Sequence, residues 1–254
     1  MQNDVREWFV ADPPRLLPQC CIFLDLDGML VDFSDDPTEA NVGAELTALL
    51  QVVATRLDGA LALVSGRSLA TLDVMLAPLR LPASGIFGLE RRDAVGQQHR
   101  QVASTAALNL ARGILADFVA ACPGLIVEDK GIALALHFRR APTYGADCRR
   151  IAEAAAAELG PRFHVVEGSM VVKIKPTGTS KATAIEEFLL EPPFADRVPI
   201  ALGDDLSDCD AFSAVQRHGG LAVAVGRRIT GDFRLEDWQA ARHWLSTLVG
   251  VHHV

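Results

Sequence analysis

Short apolar runs that stop abruptly at polar clusters recur along this chain, and helical spacing of apolar residues fills the stretches between them. Cys21-Ile22-Phe23-Leu24 runs into Asp25-Leu26-Asp27-Gly28, Ala60-Leu61-Ala62-Leu63-Val64 stops at Ser65-Gly66-Arg67-Ser68, and Val198 to Leu202 ends in Gly203-Asp204-Asp205-Leu206-Ser207-Asp208. Leu221 to Val225 is a fourth run. Unalternating runs of this length predict strands buried on both faces. Val42, Leu46, Leu49, Leu50 and Val53 predict a helix over 42–57, and further helices are expected up to Pro78, over 181–190 and around 240–248. Strand-helix alternation of this kind builds a parallel sheet with helices on its faces, and such sheets gather ligands at the carboxyl ends of their strands. The residues up to Pro18 read as loop, punctuated by Pro13-Pro14.

The pattern changes in the middle of the chain. Helices are expected over 103–121 and 144–159, each followed by two strand-like runs. Asp129-Lys130-Gly131 and Glu167-Gly168-Ser169 have turn chemistry and divide those runs into hairpins. A repeated α-β-β unit of antiparallel type, over about 102–174, is therefore expected as a small domain inserted into the parallel one, which comprises 1–101 and 175–254. From Ile132 to Arg139 the alternation puts Ile132, Leu134, Leu136 and Phe138 on one face and Ala133, Ala135, His137 and Arg139 on the other. The first face suits a packed interior and the second, small and polar, suits a lid. Glu128 and Lys130, two residues apart, can share a face in the same way.

Composition narrows the function class. The chain has 254 residues, half of them hydrophobic, which allows a large core. No apolar run reaches the roughly 20 residues of a membrane-spanning helix, and the N-terminus lacks the basic start of a signal peptide. A formal net charge of −8 and the lack of a basic stripe disfavour nucleic acid as a partner. Five cysteines without C-x-x-C spacing suit a reducing, cytoplasmic setting better than a disulfide framework or a zinc site. Neither G-x-x-x-x-G-K-S/T nor G-x-G-x-x-G occurs, so a nucleotide-driven role is disfavoured.

The chemistry centres on Asp25 and Asp27. Two like charges about 4 Å apart repel by about 4 kcal/mol near a protein surface, so a cation is needed to keep both ionised. A hard divalent ion with oxygen ligands, Mg²⁺, meets that need. Alone, each polar cluster also has a structural explanation. A D-x-D can be a turn, an N-cap or a solvated loop; Ser65 can cap a helix; Lys181 can be a solvated charge; Asp204 and Asp205 can cap the helix that follows.

In order and spacing the clusters at Asp25/Asp27, Ser65, Lys181 and Asp204/Asp205/Asp208 resemble the haloacid-dehalogenase (HAD) superfamily of phosphatases. Asp25-Leu26-Asp27-Gly28, Leu63-Val64-Ser65-Gly66-Arg67, Gly88-Leu89-Glu90-Arg91-Arg92, Glu128-Asp129-Lys130, His137-Phe138-Arg139, Ile174-Lys175-Pro176 with Gly178 and Lys181, and Gly203 to Asp208 resemble its trehalose-6-phosphate phosphatases more closely. The likeness spans about Cys21 to Leu248. It implies a Rossmann-like HAD core with an inserted α+β cap (αββαββ, C2-type), and Mg²⁺-dependent hydrolysis of trehalose 6-phosphate through an aspartyl-phosphate. By the same resemblance Asp25 is the nucleophile and Asp27 the general acid and base. Ser65 and Lys181 hold phosphate oxygens, and Asp204, with Asp208 or Asp205 in support, completes the metal site with Asp25 and the backbone carbonyl of Asp27. Gly66, Arg67 and Glu90 would shape the core site, while Glu128, Lys130, His137, Arg139 and Lys173 would face the sugar. Two positions depart from the family pattern: Met29 stands where threonine is usual, and Lys173 where a glutamate usually bonds glucose hydroxyls. The first motivates a noncatalytic sugar-phosphate binder as an alternative, the second a phosphatase for another sugar phosphate.

Overall fold

The computed structural model describes residues 19–31, 42–101 and 105–248. The loop expected up to Pro18, the first residues expected in the helix from 103, and the boundary at 102 lie outside them. In chain order the elements are β1 (Cys20–Leu24), α1 (Gly43–Arg56), β2 (Leu61–Val64), α2 (Leu69–Leu76), β3 (Ala83–Gly85), β4 (Glu90–Arg92), β5 (Gln98–Arg100), α3 (Thr105–Ala121), β6 (Ile126–Asp129), β7 (Leu134–His137), α4 (Gly145–Leu159), β8 (Phe163–Gly168), β9 (Val171–Pro176), α5 (Lys181–Phe188), β10 (Val198–Gly203), α6 (Cys209–Arg217), β11 (Leu221–Val225), β12 (Phe233–Leu235) and α7 (Trp238–Leu248).

Eight strands form one sheet in the order β12-β11-β10-β1-β2-β3-β4-β5. From β12 to β3 every pairing is parallel, and β4 and β5 add an antiparallel edge. All residues of β1 and β2 are buried, which is why their sequences lack alternation. Phe23 stacks on Phe194 with ring centroids 5.5 Å apart, and both rings meet Phe188 of α5 at 6.0 and 5.0 Å. Ser180 caps α5 reciprocally with Thr183, so this short helix has a fixed starting point at Lys181.

The second sheet is antiparallel, with order β6-β7-β9-β8. Leu134, Leu136, Val172 and Ile174 pack from it against Leu108, Leu115, Cys148, Ala152 and Ala155 of α3 and α4, forming a separate apolar core. The expected alternation holds from Leu134 on, with Leu134 and Leu136 in that core and Ala135, His137 and Arg139 lining a cavity on the opposite side, but not at Ile132 and Ala133, which precede β7 and pack together elsewhere. Strand β9 runs to Pro176, so Lys175 and Pro176 still belong to this sheet. Ile132 and Ala133 at the β6–β7 turn meet Ile86 and Leu89 from the β3–β4 connection in a small apolar contact. Among the described residues no helix is long and apolar enough to cross a membrane.

Candidate active site

Strand order dictates where the site forms. From β1 the chain builds outward to β2 and β3 on one side, and later from β10 to β11 and β12 on the other. Strand order therefore reverses between β1 and β10, and the crevice at their carboxyl ends is where such sheets hold ligands. Register pairs Leu24 with Leu202, and the Asp25 amide donates to the Leu202 carbonyl at 3.1 Å. That pairing sets Asp25 beside the Gly203-Asp204-Asp205 turn. Leu26 returns to the core, and Gly28 leaves the strand with φ +77°, a conformation that a side chain disfavours. The adjacent Met29 is fully buried in the core of the large sheet.

Oxygens of Asp25, Asp204 and Asp208 lie within 4.8 Å of one another, and all three residues are buried. Asp208 folds back against its own turn: one oxygen accepts from the amides of Asp204 and Asp205, at 3.1 and 3.0 Å. Gly203 permits this, since a β-carbon there would stand 2.3 Å from the Asp208 carboxyl carbon. The other Asp208 oxygen takes a bond from Lys181 Nζ at 2.5 Å, and the same ammonium reaches Asp25 at 2.8 Å. Lys181 is thus the interior cation of the acid cluster, not the solvated charge that its place on a helix's first turn suggests. Burial opposes its charge, but Asp208 and Asp25 outweigh burial and hold it protonated.

One cation among three carboxylates leaves excess negative charge. Burial pushes Asp25 up to about 7 against the pull of Lys181, with Asp208 and Asp27 adding to the rise. Asp204 is driven up to about 8 by burial and by Asp25, Asp208 and Asp205, with partial relief from Arg228 at 3.2 Å. Asp204 Oδ1 is buried and has no hydrogen-bond partner among the described residues. An orphaned carboxylate oxygen within an over-acidic pocket is the environment that a hard cation neutralises, so these residues fit a divalent ion.

Asp27 sits in a different setting. Arg67 grips it with two bonds, Nε to Oδ2 and Nη2 to Oδ1, both 2.7 Å. This fork fixes the orientation of the carboxylate toward the cavity. Ser65 is fully buried, and its hydroxyl accepts from the Arg67 amide at 3.2 Å. It therefore shapes the turn carrying Gly66 and Arg67. Glu90 begins strand β4 and accepts from the Leu69 amide at 2.7 Å, holding the start of α2. Three-residue strands such as β3 and β4 carry no usable periodicity, so the sequence does not signal the strand that Glu90 begins.

The cavity between the two sheets measures about 490 Å³, within the range of small-molecule sites. Asp25, Asp27, Gly66, Arg67 and Lys181 line its floor, and Glu128, Lys130, His137, Arg139 and Lys173 its ceiling. Ser65, Glu90, Asp204 and Asp208 stand behind that lining. On the ceiling, Glu128 accepts from Lys130 at 2.5 Å and meets His137 Nε2 at 2.9 Å. Burial works to raise the Glu128 carboxyl, yet the His137 bond and the Lys130 charge prevail and bring it down to about 2. Sequence reasoning did not foresee Phe87 in this lining. Its backbone is left-handed (φ +56°), as is that of Ile86 (φ +48°), and no residue pattern signals such a pair.

Comparison with known proteins agrees with this geometry. The trehalose-phosphatase family profile matches residues 23–232. A trehalose-6-phosphate phosphatase of Escherichia coli K12 is 38% identical over 243 residues, covering 94% of this chain and 90% of that protein. A probable trehalose-phosphate phosphatase of Sinorhizobium fredii is 39% identical over 210 residues, covering 83% and 79%. The C-terminal domain of the C. albicans trehalose-6-phosphate phosphatase superposes with a TM-score of 0.80 at 21% identity, covering 92% and 93%, and a phosphatase of the HAD superfamily from Bacteroides thetaiotaomicron superposes with a TM-score of 0.62 at 17% identity, covering 94% and 98%. With the profile spanning most of the chain and the acid cluster at the strand-order reversal, the chain belongs to the trehalose-phosphatase family.

Proposed function

We propose that this protein is a Mg²⁺-dependent phosphatase that hydrolyses trehalose 6-phosphate to trehalose and phosphate through an aspartyl-phosphate, in the cytoplasm. The observation that carries the proposal is the buried Asp25/Asp204/Asp208 cluster, with Lys181 inside it and one Asp204 oxygen left unpartnered. Residues 1–101 and the chain after β9 would form the catalytic core and 102–176 the cap, the boundary expected at 175 moving to the end of β9 because Lys175 and Pro176 pair with β8.

Asp25 and Asp204 would hold Mg²⁺ through their carboxylates and Asp27 through its backbone carbonyl, with Asp208 supporting from behind. When bound, the ion supplies charge neutralisation at a phosphoryl oxygen. An Asp25 oxygen attacks phosphorus as the bond to the sugar oxygen breaks. Asp27, which takes up a proton on leaving the Arg67 fork, gives it to the departing sugar oxygen. It then takes a proton from the water that attacks the aspartyl-phosphate, releasing phosphate and restoring Asp25; such a relay contributes about 10² to 10⁴ in rate. Lys181 neutralises phosphoryl charge from the floor, and Ser65 contributes by holding the Gly66–Arg67 turn against it. Overhead, Glu128, Lys130, His137 and Arg139 offer both donors and acceptors, as sugar hydroxyls require.

The cation of Lys173 in the ceiling favours a second reading, a phosphatase of the same chemistry acting on a different sugar phosphate. Phosphate release across disaccharide and monosaccharide phosphates, with Mg²⁺ and with chelator, decides between them. Fastest release from trehalose 6-phosphate is expected. Faster turnover of another sugar phosphate would overturn the substrate assignment and leave the reaction class intact.

A further inference from the structure

Most acids lining the cavity already have a basic partner. Asp25 pairs with Lys181, Asp27 with Arg67, and Glu128 with Lys130 and His137. Lys173 of β9 breaks this pattern. It is buried, it lines the cavity, and among the described residues its ammonium has no hydrogen bond and no ion pair. Its contact is the face of Phe87, 3.9 Å from the ring centroid.

Phe87 fixes where that charge stands. The tip of its ring occupies the space that a Gly66 side chain would fill, with Cζ 2.3 Å from an added β-carbon. Lys173 therefore sits on the ring that abuts the turn after Ser65, at the floor end of the cavity. Register confirms the position: Glu128 pairs with Ala135, and Ala135 with Lys173. Glu128 itself thus lies two strands away, about 10 Å at ordinary strand spacing. Burial lowers the ammonium to about 8, and the charges it feels are those of the floor, Asp205, Lys181, Asp25 and Asp208.

A desolvated cation that forms no ion pair, even with Asp205, the acid whose charge it feels most, is costly unless an anion arrives to meet it. We propose that Lys173 binds the phosphoryl group of the substrate from the ceiling, opposite Lys181, so that the phosphate is held by one lysine from the antiparallel sheet and one from the start of α5. This rests on the phosphatase reading and assigns Lys173 to the phosphate, with the Glu128 cluster left to the sugar. The unpaired charge and the ring it stands on carry the inference.

Titration calorimetry with inorganic orthophosphate in the presence of Mg²⁺, on wild type, Lys173→Gln and Lys173→Met, tests it. A thermal melt on each variant identifies any that does not fold, leaving the other to decide. Orthophosphate affinity is expected to fall about 10-fold or more in the folded variants, the size of a lost charge-assisted bond. KM for trehalose 6-phosphate and for p-nitrophenyl phosphate should rise together. Unchanged orthophosphate affinity would overturn the proposal: a loss confined to the sugar phosphate would make Lys173 a sugar contact, and a loss confined to melting temperature would make it a packing residue. Because binding is read without turnover, the two readings fail separately. Orthophosphate binding without hydrolysis of any sugar phosphate sinks the phosphatase reading, whereas hydrolysis with unchanged orthophosphate affinity in Lys173→Gln sinks this one.

Discussion

Lys181 shows how far a residue's role depends on its surroundings. In the sequence it is one lysine at a helix start, a position that normally means a solvated charge. In the fold its side chain is 2% exposed and bridges two buried carboxylates. Removing one member of a buried charge cluster leaves the others uncompensated, typically at a cost of about 3–5 kcal/mol. Lys181→Met should therefore lower the unfolding free energy by about that amount in urea denaturation. A loss within about 0.5 kcal/mol, the range of ordinary surface substitutions, would mean that Lys181 is not the internal counter-charge. Asp25, Asp27 and Asp204 were legible because acids at the ends of apolar runs are conspicuous. The Arg67 fork on Asp27 was not, since its partners are 40 residues apart and only the sheet brings them together. Ser65 was legible as a residue, but its buried hydroxyl faces the Arg67 amide, a detail that no spacing specifies.

At the scale of elements, the long buried strands and the two hairpins were readable from pattern alone. The three-residue strands β3, β4, β5 and β12 were not, because three residues cannot establish a period. The β6–β7 hairpin also makes a prediction about pH. Folding lowers the Glu128 carboxyl from an ordinary 4.5 to about 2, so the folded state binds that proton less tightly than the unfolded state. The stabilisation is present in full above about pH 4.5 and is lost as pH falls toward 2. The urea midpoint of wild type should exceed that of Glu128→Gln at pH 5.5, and the gap should narrow steadily toward pH 3. A gap that stays constant or widens with acid would remove Glu128 from the hairpin's charge network.

At the scale of the whole molecule, two sheets with separate cores meet across a cavity, joined by a small apolar contact around Ile86 and Ile132. So small a contact resembles a mobile inter-domain interface more than a permanent one, and lid closure commonly gates catalysis in such arrangements. Solution scattering should report a smaller radius of gyration with Mg²⁺ and a phosphate-site ligand than without them, and identical curves would speak against closure. In the proposed reaction Asp25 is the group that attacks phosphorus, and the acid cluster around it works with a bound metal. The most direct test is phosphate release from trehalose 6-phosphate by wild type and by Asp25→Asn, each with Mg²⁺ and with chelator. Turnover that requires Mg²⁺ and falls by about 10⁴-fold or more in Asp25→Asn is the predicted result. Release that persists in chelator, or that survives in Asp25→Asn near the wild-type rate, would contradict it.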